Sequence, residues 1–202
     1  MDVDAEMLKW SQTVYGIAHS LQIAKSIHLG NLESIVESLR AVESWNISNV
    51  GFSSCVPRRD FYEGAIKLDG HTHDEIFQRV SENVVQVLFV SLNVFADEVL
   101  GYLINKTGAA PGNFLINKLE WAKPRIDSKF HWAINGLFEM VAIRNAIVHN
   151  NAKWNAATVA QLRLAGVGTV DEKVQISLSF GDLFRYKRAL RTISGEIRKI
   201  GT

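Results

Sequence analysis

Apolar residues recur at helical spacing along most of the chain. Between about 74 and 105 they form two adjacent stripes, one of them made of Val85, Phe89, Ala96 and Leu100. Two stripes three and four residues apart predict a helix with a wide buried face. We therefore expect this helix to lie centrally in a helical bundle.

Other segments carry the same period. Residues 5–45, 113–122, 128–149 and 182–200 each predict a helix or a pair of helices, because their apolar positions step by three or four. Residues 46–73 contain glycine and proline and predict a long irregular connection. Residues 156–181 are mixed, and within them 174–180 alternates apolar with polar, as a strand does. The predicted fold is all-α, a helical bundle with a long connecting loop and a small β-like segment near the C-terminus.

The 202 residues fit one domain, with N-terminal helices (1–45), the connection (46–73), a core (74–155) and a C-terminal part (156–202). The single cysteine, Cys55, can form no internal disulfide, which fits a reducing compartment. The N-terminus is acidic and lacks the features of a secretory signal. The stretch 84–104 is interrupted by polar residues and does not predict a membrane span. These features predict a cytoplasmic protein without a membrane partner.

The charged residues that sum to a net charge of +1 are distributed unevenly along the chain. Residues 1–117 carry a net charge of −6, and residues 118–202 carry +7. A basic C-terminal part can bind a polyanion, although an ordinary solvated face can carry the same charge. Within it, the candidates for contact with an RNA backbone are Asn150, Lys153, Lys187, Arg188 and Arg191.

Polar residues at the end of the apolar helix 128–149 are the strongest chemical signal. Burial of Arg144, Asn145 and His149 without partners would be costly, so their presence there needs a reason. Arginine offers a planar fork of donors suited to phosphate, and histidine exchanges protons near neutral pH. Asn145 and His149 share one helix face, whereas Arg144 is about 140° from His149 on an ideal helix. A long arginine side chain, or local unwinding, can still bring them together.

The segment Arg144-Asn145-Ala146-Ile147-Val148-His149-Asn150-Asn151 resembles the signature of the HEPN superfamily, and a long helix such as 74–105 precedes it there too. The resemblance covers about 74–155. It implies a metal-independent endoribonuclease, in toxin–antitoxin or antiphage defence systems, that works as a homodimer with two motifs in one cleft. It implies that His149 acts as general acid/base, that Arg144 holds the scissile phosphate, and that Asn145 positions His149 or the RNA. Members paired with a nucleotidyltransferase antitoxin often have tyrosine where this chain has Asn151.

Alternatives remain beside this interpretation. Arg144 and His149 also fit a helix cap, and some HEPN domains bind RNA, nucleotides or proteins without cleaving anything. Asp97 and Glu98 are possible acids of the site, or one is solvent-exposed while the other forms a structural ion pair. Three tryptophans can stack bases or anchor the core: Trp121, Trp132 and Trp154.

The sequence favours no cofactor or metal. It contains no phosphate-binding glycine loop and no zinc pattern. The segment His71-Thr72-His73 lacks an evident third ligand and fits a polar loop leading into a helix. The expected partners are therefore RNA, a second copy of the chain, and an antitoxin or regulatory protein.

Overall fold

The computed structural model describes residues 1–26, 73–164, 166 and 170–200. The chain divides into two compact units, one formed by 1–16 and 81–202 and the other by 17–80. The described residues of the second unit, 17–26 and 73–80, are helical. The predictions for 27–72, including the later part of the N-terminal helices, the irregular connection, Cys55 and His71, lie outside the described residues.

The described residues contain six α-helices. They are α1 (Val3–Ser26), α2 (His73–Lys106), α3 (Leu115–Ala122), α4 (His131–His149), α5 (Ala156–Leu164) and α6 (Phe180–Ile200). Two 3-10 turns, Lys123–Arg125 and Ser128–Phe130, join α3 to α4. The all-α prediction is confirmed for this part of the chain. Pro124 lies in the turn directly after α3, where its missing N–H disfavours continuation of the helix.

The helix α2 contributes a long buried face to the core of the first unit. Its stripe made of Val85, Phe89, Ala96 and Leu100 is buried, and Phe89 packs edge-to-face on Tyr186 of α6 at 5.2 Å between ring centres. From Phe77 to Lys106 it is long and apolar enough to cross a membrane, but the window that meets this test is 44% buried inside the protein. A core helix of a soluble protein meets the same criterion, so this is weak evidence for a membrane. The cytoplasmic location stays a prediction.

An ion pair connects α2 to α3. Lys118 is only 8% exposed, and its Nζ lies 2.6 Å from Oδ1 of Asp97 and 3.1 Å from the Asp97 carbonyl oxygen. Gly101 leaves room for this lysine, because a Cβ there would lie 3.2 Å from Nζ. The buried charge is thus neutralised by a carboxylate and bonded to a carbonyl, which burial of a lysine requires.

The helix α6 runs antiparallel to α4 and to α1. Arg185 pairs with Glu139 of α4, and the guanidinium of Arg188 lies 5.9 Å from the ring centre of Trp132. Toward the other helix, Arg198 pairs with Asp4, and Tyr15 stacks on Phe184. The inner face of α6 is apolar and buried at Leu183, Leu190, Ile193 and Ile197. The same period predicts inward positions for Phe184 and Ile200, but Phe184 is only partly buried and Ile200, at the helix end, is 38% exposed.

Some predicted details are wrong. The apolar period of 128–149 predicts that Val148 is buried with the stripe of α4, but Val148 is 46% exposed while Ala146 of the same turn is fully buried. The segment 174–180 is not a strand, and its regular pairing is one antiparallel bridge between Gln175 and Lys153. Its alternation predicts burial only in part, since Ile176 is buried and Ser177 is exposed but Val174 is 48% exposed.

Candidate functional site

The motif lies at the C-terminal end of α4. The helix continues through His149, and the backbone N–H of Asn150 still donates to the Ala146 carbonyl at 3.0 Å. The chain then turns sharply, with left-handed backbone at Asn151 and Ala152 (φ of 51° and 55°). Asparagine tolerates this conformation better than most residues, so Asn151 suits the position.

The loop after the motif is held by backbone hydrogen bonds. Ile176 N–H donates to the Ala152 carbonyl at 2.7 Å, and Trp154 N–H donates to the Val174 carbonyl at 3.2 Å. Trp154 is buried, so it anchors this loop in the core rather than offering a surface for base stacking. The segment 174–176, which was predicted to be part of a strand, therefore holds the loop that follows α4 in place.

Arg144 contacts both other motif residues. Its Nη1 donates to Oδ1 of Asn145 at 3.0 Å and lies 3.5 Å from Nε2 of His149. Because the helix remains regular through His149, the length of the arginine side chain, and not unwinding, bridges the angle between them. Arginine can only donate, so this contact is a hydrogen bond only in the tautomer of His149 that has its proton on Nδ1 and a lone pair on Nε2.

Asn145 is held by a residue that the sequence did not single out. Its Nδ2 donates to Oε1 of Gln161 on α5 at 3.2 Å. The start of α5 is set by reciprocal capping, in which Asn155 Oδ1 accepts from the Thr158 N–H at 2.9 Å and Thr158 Oγ1 accepts from the Asn155 N–H at 3.0 Å. This cap fixes where the second turn of α5 presents Gln161.

The exposure of the three residues suits contact with a ligand. His149 is exposed, and Arg144 and Asn145 are half-buried. A half-buried guanidinium keeps its position while still presenting donors to solvent. The arrangement can bind an anion beside a group that takes up or releases a proton.

The other candidates are distributed unevenly around this site. Asn150 and Lys153 follow the motif directly, and Lys153 is exposed. Arg188 lies beside Trp132, twelve residues before Arg144 on α4, which is about 18 Å along the helix. Lys187 and Arg191 are on the same part of α6, where burial and the nearby charge of Arg191 lower the pKa of Lys187. The structure does not bring the α6 cations together with the motif.

The acidic candidates have other surroundings. Asp97 forms the ion pair with Lys118, and Glu98 is exposed. This matches the plain alternative of one structural pair and one solvated carboxylate. Of the remaining tryptophans, Trp132 is 50% exposed and Trp121 contacts the guanidinium of Arg125 at 4.6 Å. Within the described ranges, no group of three or more His, Cys, Asp or Glu residues is placed to hold a metal ion.

Comparisons with known proteins found no relatives: no family model, no curated protein and no solved structure matches the chain. The HEPN resemblance therefore stays a prediction, which depends on the residues from Arg144 to Asn151 and on their helical setting.

Proposed function

We propose that the protein is a metal-independent endoribonuclease of the HEPN type. The observation that carries the proposal is the placement of the Arg144 guanidinium 3.5 Å from the His149 imidazole at an exposed helix end. A fixed cation next to a proton-exchanging ring is what cleavage of RNA by its own 2′-hydroxyl needs. The all-α setting and the basic C-terminal part of the chain agree with this proposal.

The contact between the two side chains suggests how substrate activates the site. A phosphate bound to the guanidinium competes with His149 for the Nη1 donor. The lone pair of Nε2 then becomes available to take the proton of the 2′-hydroxyl. Arg144 thus has two roles, since it occupies the base in the free protein and releases it when the scissile phosphate binds.

The bond changes follow directly. The 2′-oxygen bonds to phosphorus as its proton passes to His149, and the bond from phosphorus to the 5′-oxygen breaks. A proton supplied by a second imidazolium goes to the leaving 5′-oxygen, and Arg144 stabilises the negative charge that develops on the phosphoryl oxygens. The products are a 2′,3′-cyclic phosphate and a 5′-hydroxyl.

A homodimer supplies the second imidazolium in this scheme, because two copies of the motif facing one cleft provide one histidine as base and one as acid. The same arrangement lets a partner protein control the activity by separating or covering the two motifs. Because a partner protein could control the enzyme in this way, we propose that it acts in a toxin–antitoxin or antiphage defence system and is regulated by an antitoxin or another protein.

One observation favours a second candidate, a non-catalytic RNA-binding module. The Nη1 of Arg144 is already bonded to Asn145 within the same helix, as in a purely structural helix end. The other nitrogens of the guanidinium can still hold a phosphate without any proton transfer. Such a module would bind RNA through Arg144 and would tolerate replacement of His149.

The test uses two matched RNAs that differ by one atom. After the cleavage position is mapped, a single 2′-deoxy nucleotide replaces the ribonucleotide on the 5′ side of the scissile phosphate. We expect cleavage there to stop while cleavage at other positions continues. Continued cleavage at the deoxy position would exclude attack by the 2′-hydroxyl. If the mapping step finds RNA binding without cleavage at any position, that result favours the second candidate.

A further inference from the structure

A small pocket lies between α3, α4 and α5, with a volume of about 220 Å³. Three of its wall residues are apolar and three bear hydrogen-bonding groups; they are Ile116, Phe138, Val141, Glu120, Lys123 and Gln161. Its volume is below the ~300–1,000 Å³ typical of sites for drug-sized molecules, so it suits a single flat ring system.

The pocket adjoins the motif through two residues. Val141 lies one helical turn before Asn145, on the same face of α4. Gln161 lines the pocket and also accepts the hydrogen bond from Asn145 at 3.2 Å. A group bound in the pocket is therefore one side chain away from the residues proposed to hold and cleave the phosphate.

The polar groups around the pocket comprise both donors and acceptors. Glu120 is exposed and offers carboxylate oxygens, while Lys123 offers an ammonium group that lies 5.6 Å from the ring centre of Phe138. Because the Oε1 of Gln161 accepts from Asn145, the side chain of this pocket residue keeps its Nε2 as a donor. The apolar pocket residues can pack against the flat faces of a nucleobase. The hydrogen-bonding residues can pair with the donors and acceptors on its edge.

We propose that this pocket binds one base of the substrate RNA, next to the phosphate held by Arg144, and that it prefers guanine. Guanine presents acceptors at O6 and N7, which suit Lys123 and Gln161, and donors at N1 and N2, which suit the carboxylate of Glu120. The proposal rests on the ribonuclease function for the position of the phosphate, but its base-binding chemistry is independent of cleavage.

The first arm of the test measures base preference in cleavage. An RNA pool randomised around the mapped cleavage position is digested by wild type, Glu120→Gln, Val141→Phe and the control Glu172→Gln, and the ends are sequenced. Glu120 and Glu172 are both exposed, so neither replacement is expected to affect folding. We expect a guanine preference in wild type and Glu172→Gln, and a loss of about tenfold or more of that preference in Glu120→Gln. Val141→Phe, which fills the pocket, is expected to lose it as well.

The second arm measures binding of free nucleotides by calorimetry, with guanosine monophosphate compared with adenosine monophosphate and ribose 5-phosphate. Tighter binding of the guanine nucleotide, lost in Glu120→Gln and Val141→Phe, supports the pocket even where no RNA is cleaved, and then only the ribonuclease proposal fails. Cleavage with the same base preference in wild type and both pocket variants overturns the pocket while leaving the ribonuclease intact. Equal binding of all three compounds likewise overturns the pocket.

Discussion

The side-chain amide of Asn145 donates to the side-chain carbonyl of Gln161 at 3.2 Å, so that α5 holds the motif of α4 in place. Both residues are half-buried. Asn145 accepts at the same time from Arg144, which makes the asparagine the link between a structural helix and the guanidinium.

This link is expected to contribute measurably to stability. In a double-mutant cycle of Asn145→Ala and Gln161→Ala, the two replacements should be coupled by about 0.5–1.5 kcal/mol, because each removes the partner of the other. The free energy of unfolding is measured by denaturant titration. For comparison, Asn145→Ala combined with Lys9→Ala, an exposed residue of α1, should be additive. Additivity in both cycles would show that the Gln161 contact does not position Asn145.

The two acidic residues of α2 should behave in opposite ways. Asp97→Ala leaves the buried ammonium of Lys118 without its carboxylate and should lower the free energy of unfolding by about 2–3 kcal/mol. This is less than the ~3–5 kcal/mol of a fully buried pair, since one third of the Asp97 side chain is exposed. Glu98→Ala should change it by about 0.5 kcal/mol or less. A stable Asp97→Ala protein that had lost RNA cleavage would instead make Asp97 an acid of the site.

Cations near the motif should contribute more to RNA binding than those of α6. With the inactive variant His149→Ala, binding of a short single-stranded RNA is measured across salt concentrations. Lys153→Ala should lower the slope of log K against log salt by about 0.7, the value for one lost phosphate contact. Arg188→Ala, with its side chain beside Trp132, should leave the slope unchanged for an RNA that covers only the motif. A larger effect for Arg188 would extend the RNA path along α6.

Acid should remove one local contribution to stability. The backbone N–H and the ammonium of Lys129 both bond to Asp127 and lower the pKa of its carboxyl below 3.8. The folded state thus binds this proton more weakly than the unfolded state, and the stabilisation is present above pH 4 and lost as the pH falls through the lowered pKa. Asp127→Ala should be less stable than wild type at pH 7 and should approach it near pH 2. A difference that stayed constant between these pH values would contradict the charge-based account.

Much of the helical core follows from periodicity alone. The stripe of Val85, Phe89, Ala96 and Leu100 is buried as predicted. Periodicity does not identify every apolar residue of α2 as buried, since Val87 and Val94 are exposed. The contact between Arg144 and His149 could also be predicted from the sequence, because both residues lie near the same helix end and the arginine side chain is long.

The contacts that hold the motif residues in place could not be predicted from the sequence. Gln161 belongs to α5, a helix with few buried apolar side chains (Val159 and Leu162 among them), so the sequence did not separate it from the mixed region that follows. Its distance from Asn145 is set by tertiary packing, which no local pattern records. The left-handed backbone at Ala152 is likewise a product of the hydrogen bonds from 174–176 and not of alanine's own preference.

The phosphate-binding role of Arg144 has a specific conservative variant. Arg144→Lys keeps the positive charge but loses the planar fork of donors, so it should bind RNA almost as well as wild type and cleave it about 10²-fold more slowly. Single-turnover rates and RNA affinity, measured on the same preparation, separate the two effects. If Arg144→Lys cleaved RNA at the wild-type rate, only the positive charge of Arg144, and not its planar fork of donors, would be needed for cleavage.

The most direct measurement is cleavage of end-labelled RNA in excess EDTA by wild type, His149→Ala, Arg144→Ala and the control His19→Ala, in which an exposed histidine of α1 is removed. We expect wild type and the control to leave 2′,3′-cyclic phosphate ends, and the two motif variants to be slower by about 10²–10⁴ while still folded. Cleavage by the folded His149→Ala protein at the wild-type rate would contradict the assignment of the motif as a ribonuclease site.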